Sequence, residues 1–274
     1  MNTYAQTNIQ LFNQLRSEGY SQDERQLVCE TYEFAMTLFS GLFLPSGKAF
    51  VDHVVGTASL LASLHVPIDL VAAGLIHAAY LQGDFGDVHQ GITHKRRQAV
   101  RNAVGARVED YVARYYRLAW NSATISNASL TLENWDPVDR DVLLIRLTNE
   151  LEHHLDLAAL YFEHTEESQA GHKRYLQSYI PILIDMSKRL GYPALAAELK
   201  SVCEDILVAQ LPIEPCIRTD QVEAYFVSPS SYRERLCIRG GHTLQNMRRL
   251  GAGVLQRAKT AYRDPKLILR RLIN

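Results

Sequence analysis

Apolar residues recur three and four positions apart through most of this 274-residue sequence, and this spacing constrains the fold more than any other feature. Such spacing places the apolar side chains on one face of an α-helix. Runs that alternate apolar and polar residues between turn residues, the pattern of β-strands, are nearly absent. The sequence therefore predicts an all-α fold.

Residues that favour helix ends divide the apolar pattern into segments. Ser21 precedes two acidic residues, Asp136 precedes a proline, and Gly191 separates two periodic segments. The predicted helices cover residues 5–17, 23–39, 51–64, 68–81, 95–103, 106–118, 137–162, 171–190 and 193–210. The predicted loops cover residues 40–50, 82–94 and 119–135.

The helical pattern ends near residue 210, where the composition changes. Residues 1–210 form the predicted helical domain, and residues 211–227, which contain Pro212 and Pro215, predict a linker or a strap over the body. Residues 228–274 predict a basic C-terminal helical segment.

The charge of the chain is divided unevenly between body and tail. Residues 233–274 contain eleven Lys or Arg against Glu234 and Asp264, a net charge of +9. Since the whole chain carries −1, residues 1–232 carry −10. Docking of the tail on the acidic body is the simplest interpretation. The second interpretation is contact of the tail with an acidic partner or a membrane surface, and self-association into a homo-oligomer is a further alternative. Nucleic-acid binding is disfavoured because no aromatic residues interleave the charges.

The cysteines and the N-terminus favour a cytoplasmic protein. The cysteines at positions 29, 203, 216 and 237 form no CxxC pair, so neither a zinc site nor a disulfide framework is predicted. The first twenty residues lack the basic start and apolar run of a signal peptide, and no window of about 18 apolar residues occurs.

Candidate functional residues lie in three apolar segments. His53 is near the start of VDHVVGTASLLASL, and His77 is near the end of IDLVAAGLIHAAYL. A third segment, DVLLIRLTNELEHHLDLAALYF, is apolar on one face and carries Asn149, Glu152 and His153 at its polar margin. If these helices pack side by side, we expect the polar side chains to meet.

Four short segments resemble the HD-domain superfamily, and most closely the hydrolase domain of the bifunctional (p)ppGpp synthetase/hydrolases. SGKAFVDH at 46–53 is similar to the family's SGEPYIxHP, and AAGLIH at 72–77 is similar to its AALLHD. RNAVGARV at 101–108 resembles its FGxxV turn, and LIRLTNELEH at 144–153 resembles its LIKLADRLHN helix. The resemblance covers about residues 40–165 and implies an HD-like helical bundle with additional C-terminal helices.

The same resemblance shows that the family's acidic metal ligands are missing here. Its metal-binding His, His-Asp pair and distant Asp correspond to His53, His77, Ala78 and Asn149. Its water-activating Glu-Asp pair aligns with Leu81-Gln82. Two imidazoles and an amide supply no negative charge, whereas hard divalent cations prefer anionic oxygen ligands.

We therefore expect a degenerate HD-type site, as in a pseudoenzyme, that favours no cofactor. It would bind a small phosphorylated or nucleotide-like ligand, or a protein partner, rather than hydrolyse (p)ppGpp. The candidate ligand-binding residues are His53, His77, Tyr80, Arg146, Asn149 and His153. The candidate catalytic residues, if any reaction occurs, are His53, His77 and Asp84.

Three alternatives remain open from the sequence. In one, the protein is a metal-dependent phosphohydrolase or an HD-type oxygenase whose Mn, Fe or Zn is held by a rearranged set of His53, His77, Asp84 and Glu152. In another, the two histidines are structural and are satisfied by backbone groups or by each other. In the third, the basic segment at 228–274 is the functional part, and the helical domain is its acidic clamp or a dimerisation platform.

Overall fold

The computed structural model describes residues 4–44, 48–87, 91–155 and 166–208, and this part of the chain is all-α, as predicted. The helices are α1 (Asn8–Ser17), α2 (Gln22–Phe39), α3 (Phe50–Ser63), α4 (Ile68–Ile76), α5 (Ala79–Gln82), α6 (His94–Val104), α7 (Ala106–Arg117), α8 (Ser122–Thr131), α9 (Pro137–His154), α10 (Glu166–Arg189) and α11 (Pro193–Val208). The predicted linker at 211–227 and the basic segment at 228–274 lie outside the described residues.

The predicted helix ends are confirmed by their capping contacts. The Ser21 side chain accepts a hydrogen bond from the Glu24 N–H, and the Glu24 carboxylate accepts one from the Ser21 N–H, which forms a capping box at the start of α2. The Asp136 side chain accepts from the Asp139 N–H at 2.8 Å at the start of α9. Gly191, with φ of +91°, separates α10 from α11 in a conformation that favours glycine.

The predicted loop at 119–135 is wrong, because residues 122–131 form α8. The Asn121 side chain accepts hydrogen bonds from the N–H groups of Ala123 and Thr124 and so begins the helix. Ile125 and Ala128 are buried one turn apart. The segment is rich in serine, threonine and asparagine, which have weak helix propensity. Its composition therefore predicted a loop in spite of the short apolar stripe.

The predicted helix at 68–81 is interrupted at His77 and Ala78. The Nδ1 of His77 donates to the carbonyl oxygen of Gly74 at 2.7 Å. In a continuing helix that oxygen would accept the backbone N–H of Ala78. The side chain of His77 therefore occupies the Gly74 carbonyl oxygen in place of a backbone N–H. Helix α4 ends there, and α5 begins at Ala79.

Helices α3 and α4 form the centre of the fold. Every residue of α4 from Leu70 to Ile76 is buried, as expected for a helix that is apolar all round. It packs against α2, α3, α7 and α9. At Gly74 an added Cβ would lie 2.5 Å from Leu61 Cδ1, so this glycine permits the close approach of α4 to α3. That approach carries His53 and His77 to the same end of the bundle.

None of the helices in the described part of the chain combines the length and the apolar character needed to cross a bilayer.

Candidate functional site

Histidines from three helices meet where the ends of α3, α4 and α9 come together. The ring centroid of His53 lies 5.6 Å from that of His77 and 4.4 Å from that of His153. His77 and His53 are fully buried, whereas His153 retains an exposed side. We call His53, His77, Asn149, Glu152 and His153 the histidine cluster.

Glu152 anchors one side of this cluster. One of its carboxylate oxygens bonds to His53 Nδ1 and the other to Lys48 Nζ. Lys48 Nζ can only donate, so Glu152 accepts from it, and in the contact with Glu152 the ring of His53 donates its Nδ1–H. The Nε2 of His53 takes no part in this contact.

Helix α3 makes room for Glu152 at Gly56. A Cβ added to Gly56 would lie 2.6 Å from Glu152 Oε1 and 2.9 Å from its Cγ. Gly56 follows His53 by three residues, so both lie on the face of α3 that meets α9. The absence of a side chain at position 56 therefore allows the contact between Glu152 and His53.

His77 is held as a neutral imidazole. Because the carbonyl of Gly74 can only accept, the ring donates Nδ1–H and the neutral tautomer has a lone pair on Nε2. Burial lowers the pKa of His77 to about 3, and electrostatic interactions with His53 and Arg146 act in the same direction. At neutral pH its Nε2 is thus a hydrogen-bond acceptor or a metal ligand, but a weak base.

Asn149 contributes a buried carbonyl without a hydrogen bond. It lies on α9 beside His77, and only 2% of the residue is exposed. Its side chain is close enough to raise the pKa of His77 slightly, but Oδ1 has no hydrogen-bond partner of ordinary geometry among the described residues. A buried polar atom left in this state costs about 1–3 kcal/mol.

His153 lies one turn after Asn149 at the open side of the cluster. Although part of its ring is exposed, loss of water around the ring and then the charge of His53 lower its pKa below the ordinary value. The adjacent His154 is buried on a different side of α9, in agreement with the expectation that consecutive histidines cannot face one site.

A second group of side chains lies next to His77, where α7 and the residues after it pack against α9. The ring of Tyr115 lies 4.9 Å from that of His77, and its hydroxyl oxygen accepts from Arg146 Nη1 at 2.8 Å. The guanidinium also pairs with Glu150 at 2.9 Å and lies 5.0 Å from the ring centroid of Trp120. We call Tyr115, Trp120, Arg146 and Glu150 the arginine cluster.

Two of the candidate residues lie apart from these contacts. The Tyr80 hydroxyl donates to the buried Glu109 at 2.9 Å, in a network that Arg97 and Arg101 complete. The Asp84 carboxylate accepts from the Gly86 N–H at 2.8 Å and closes a turn of its own loop. These contacts place Tyr80 in a network of its own and Asp84 in the turn of its own loop.

The described residues contain no group of three or more His, Cys, Asp or Glu side chains arranged to hold a metal ion. Of the rearranged metal set, the structure brings His53, His77 and Glu152 together. The Glu152 carboxylate already bonds to His53 and Lys48. Position 78, where the resemblance implies an aspartate, holds a buried Ala78.

Sequence reasoning missed Lys48, Gly56, Tyr115 and Trp120 as parts of the site. Lys48 and His53 belong to the same segment, SGKAFVDH, and Gly56 follows His53 by one helical turn. Their spacing from His53 therefore gave a weak indication that Lys48 and Gly56 lie at the site. Trp120 follows α7 and reaches Arg146 only through the packing of α7 against α9. Its role could not be derived from local spacing.

One comparison with known proteins gives a match, and it spans the part of the chain that carries the first half of the site. A family described as a domain of unknown function, DUF6817, matches residues 42–119, which is less than a third of the chain. The match includes His53, His77 and Tyr115. It ends before Trp120 and α9. No curated protein matches the chain.

Proposed function

We propose that this protein binds a small nucleotide-like ligand at the histidine cluster, on an HD-like helical scaffold, without metal-dependent hydrolysis. The observation that carries the proposal is the buried Oδ1 of Asn149, which has no hydrogen-bond partner in the described part of the chain. Native proteins seldom leave such an atom unpaired, and when they do a ligand or an ion is a common reason.

The chemistry of the cluster selects the ligand groups that would contact it. The Nε2 of neutral His77, the Nε2 of His53 when its ring is neutral, and the Oδ1 of Asn149 are all acceptors. They suit hydroxyl or amino groups, such as those of a ribose or a nucleobase. A phosphate would need donors, and the low pKa of His77 argues against a protonated ring there.

We predict that Asn149→Leu weakens ligand binding without loss of stability. Leucine has the same number of side-chain heavy atoms but no polar atom, so it removes the unpaired oxygen. We expect the free energy of unfolding to stay level or rise by about 1 kcal/mol. Binding of nucleosides and nucleoside 5′-phosphates, measured by calorimetry, should weaken at least about tenfold.

Asn102→Ala is the matched control, because Asn102 lies exposed on α6 and bonds only to Gln98 among the described contacts. It should leave both binding and stability unchanged. If Asn149→Leu destabilises the protein by about 2 kcal/mol or more while binding persists, then Asn149 is structural and the proposal is wrong.

A metal-dependent hydrolase or oxygenase is the second candidate, and one observation favours it. Both His53 and His77 donate Nδ1–H to an acceptor, so Nε2 is the ring nitrogen that neither contact uses. Metal-binding histidines are commonly oriented in this way. Against this candidate, the cluster contains one carboxylate, and that group is already paired with Lys48. Elemental analysis separates the two candidates.

A further inference from the structure

The arginine cluster contains buried N–H groups that have no acceptor among the described residues. Arg146 donates through Nη1 to Tyr115 and forms an ion pair with Glu150 through Nη2, but its Nε is buried and has no hydrogen-bond partner among the described residues. A charged donor without a partner costs more than a neutral one. Retention of this arrangement points to an acceptor that comes from outside the chain.

Trp120 places a second unused donor beside the first. Its ring lies 5.0 Å from the Arg146 guanidinium carbon, and its Nε1 is also buried without a hydrogen bond in the described part of the chain. Burial and then Glu150 raise the pKa of the nearby Tyr175, and the Trp120 indole acts in the opposite direction. The indole Nε1 nevertheless does not reach hydrogen-bond geometry with the Tyr175 hydroxyl. The other tryptophan, Trp135, donates its Nε1–H to Thr131 at 3.0 Å.

We propose that Arg146 and Trp120 form a subsite for an oxyanion, with Nε–H and Nε1–H as its donors. A guanidinium and an indole N–H offer only donors, and the positive charge favours a negatively charged acceptor such as a phosphate or a carboxylate. The Glu150 carboxylate pairs with Nη2 of the same guanidinium, 2.9 Å away.

This subsite adjoins the histidine cluster through Tyr115, whose ring contacts His77 and whose hydroxyl contacts Arg146. Acceptors on the histidine side and donors on the arginine side fit a ligand with hydroxyl or amino groups at one end and an anionic group at the other. This assignment of the ligand's two ends rests on the proposed function. The oxyanion contact itself does not, and it is tested separately.

The test compares Trp120→Phe with Trp135→Phe in the full-length protein, with pyrophosphate, inorganic phosphate and acetate as probes. Trp120→Phe keeps an aromatic ring over Arg146 and removes only an unused donor, so the melting temperature should not fall. Trp135→Phe removes a hydrogen bond made within the protein and should lower it by a few degrees. Pyrophosphate or phosphate should bind about tenfold more weakly to Trp120→Phe and unchanged to Trp135→Phe.

Arg146→Lys is the second variant, because lysine keeps the charge beside Glu150 but lacks the Nε–H. It should weaken phosphate binding to a similar extent.

Stronger binding of acetate than of phosphate would assign the subsite to carboxylates. Three results would overturn the proposal: no anion binds the wild type, Trp120→Phe binds it unchanged, or Trp120→Phe loses as much stability as Trp135→Phe. Asn149→Leu should retain pyrophosphate binding, so failure of the histidine cluster and failure of this subsite give different results.

Discussion

At the scale of single residues, His77 illustrates how burial sets the chemistry of the site. Its folded-state pKa of about 3 lies below the ordinary value of 6.5. The unfolded chain therefore binds more protons between these two pH values. The free energy of unfolding must fall as the pH drops through this window, by up to about 1.4 kcal/mol per pH unit for one proton.

This pH dependence can be tested with His77→Gln, which cannot titrate and can still donate to the Gly74 carbonyl. Urea unfolding of the wild type and the variant between pH 5 and 7 should show a flatter dependence for the variant. His53, His153 and Arg146 remain in both proteins, so the difference in slope reports the loss of His77 together with the loss of its electrostatic effect on His153. Equal slopes would show that His77 is not held neutral by the fold.

At the scale of helices, contact between α3 and α9 depends on Gly56. In Gly56→Ala the new methyl group would collide with the Glu152 carboxylate. We expect a loss of about 1–3 kcal/mol of unfolding free energy, together with displacement of Glu152 from His53. Chemical denaturation measures the first effect, and the ring proton shifts of His53 report the second.

Gly171→Ala provides the control, because Gly171 lies inside α10 and an added Cβ would meet no atom within 4 Å. Alanine has the higher helix propensity, so this variant should gain up to about 1 kcal/mol. If Gly56→Ala behaves like Gly171→Ala, then the close approach of Glu152 to α3 is not needed for the site.

The helices also show how much could be predicted from the sequence. The 3.6-residue periodicity gave the order of most helices, and the positions of His53, His77 and Asn149 in three apolar segments predicted that they would meet. Local side-chain hydrogen bonds explain the two errors in secondary structure, at Asn121 and at His77. Such bonds override propensity and leave little trace in composition.

At the scale of the whole molecule, the prediction of an all-α fold is confirmed for the described residues. The HD-like assignment stays a prediction, since the family match covers only residues 42–119. The pairing of Lys48 with Glu152 and of Arg146 with Trp120 could not be derived beforehand. Both join residues far apart in the chain, and only the packing of the bundle brings them together.

We propose that this helical bundle uses its histidine cluster to bind a ligand and not to hold a catalytic metal. Elemental analysis of wild-type protein purified from metal-replete medium distinguishes these two roles. Without a carboxylate at Ala78 or Asn149, we predict far less than one equivalent of Mn, Fe or Zn per chain. About one tightly held equivalent that disappears in His53→Ala would show that the cluster is a metal site.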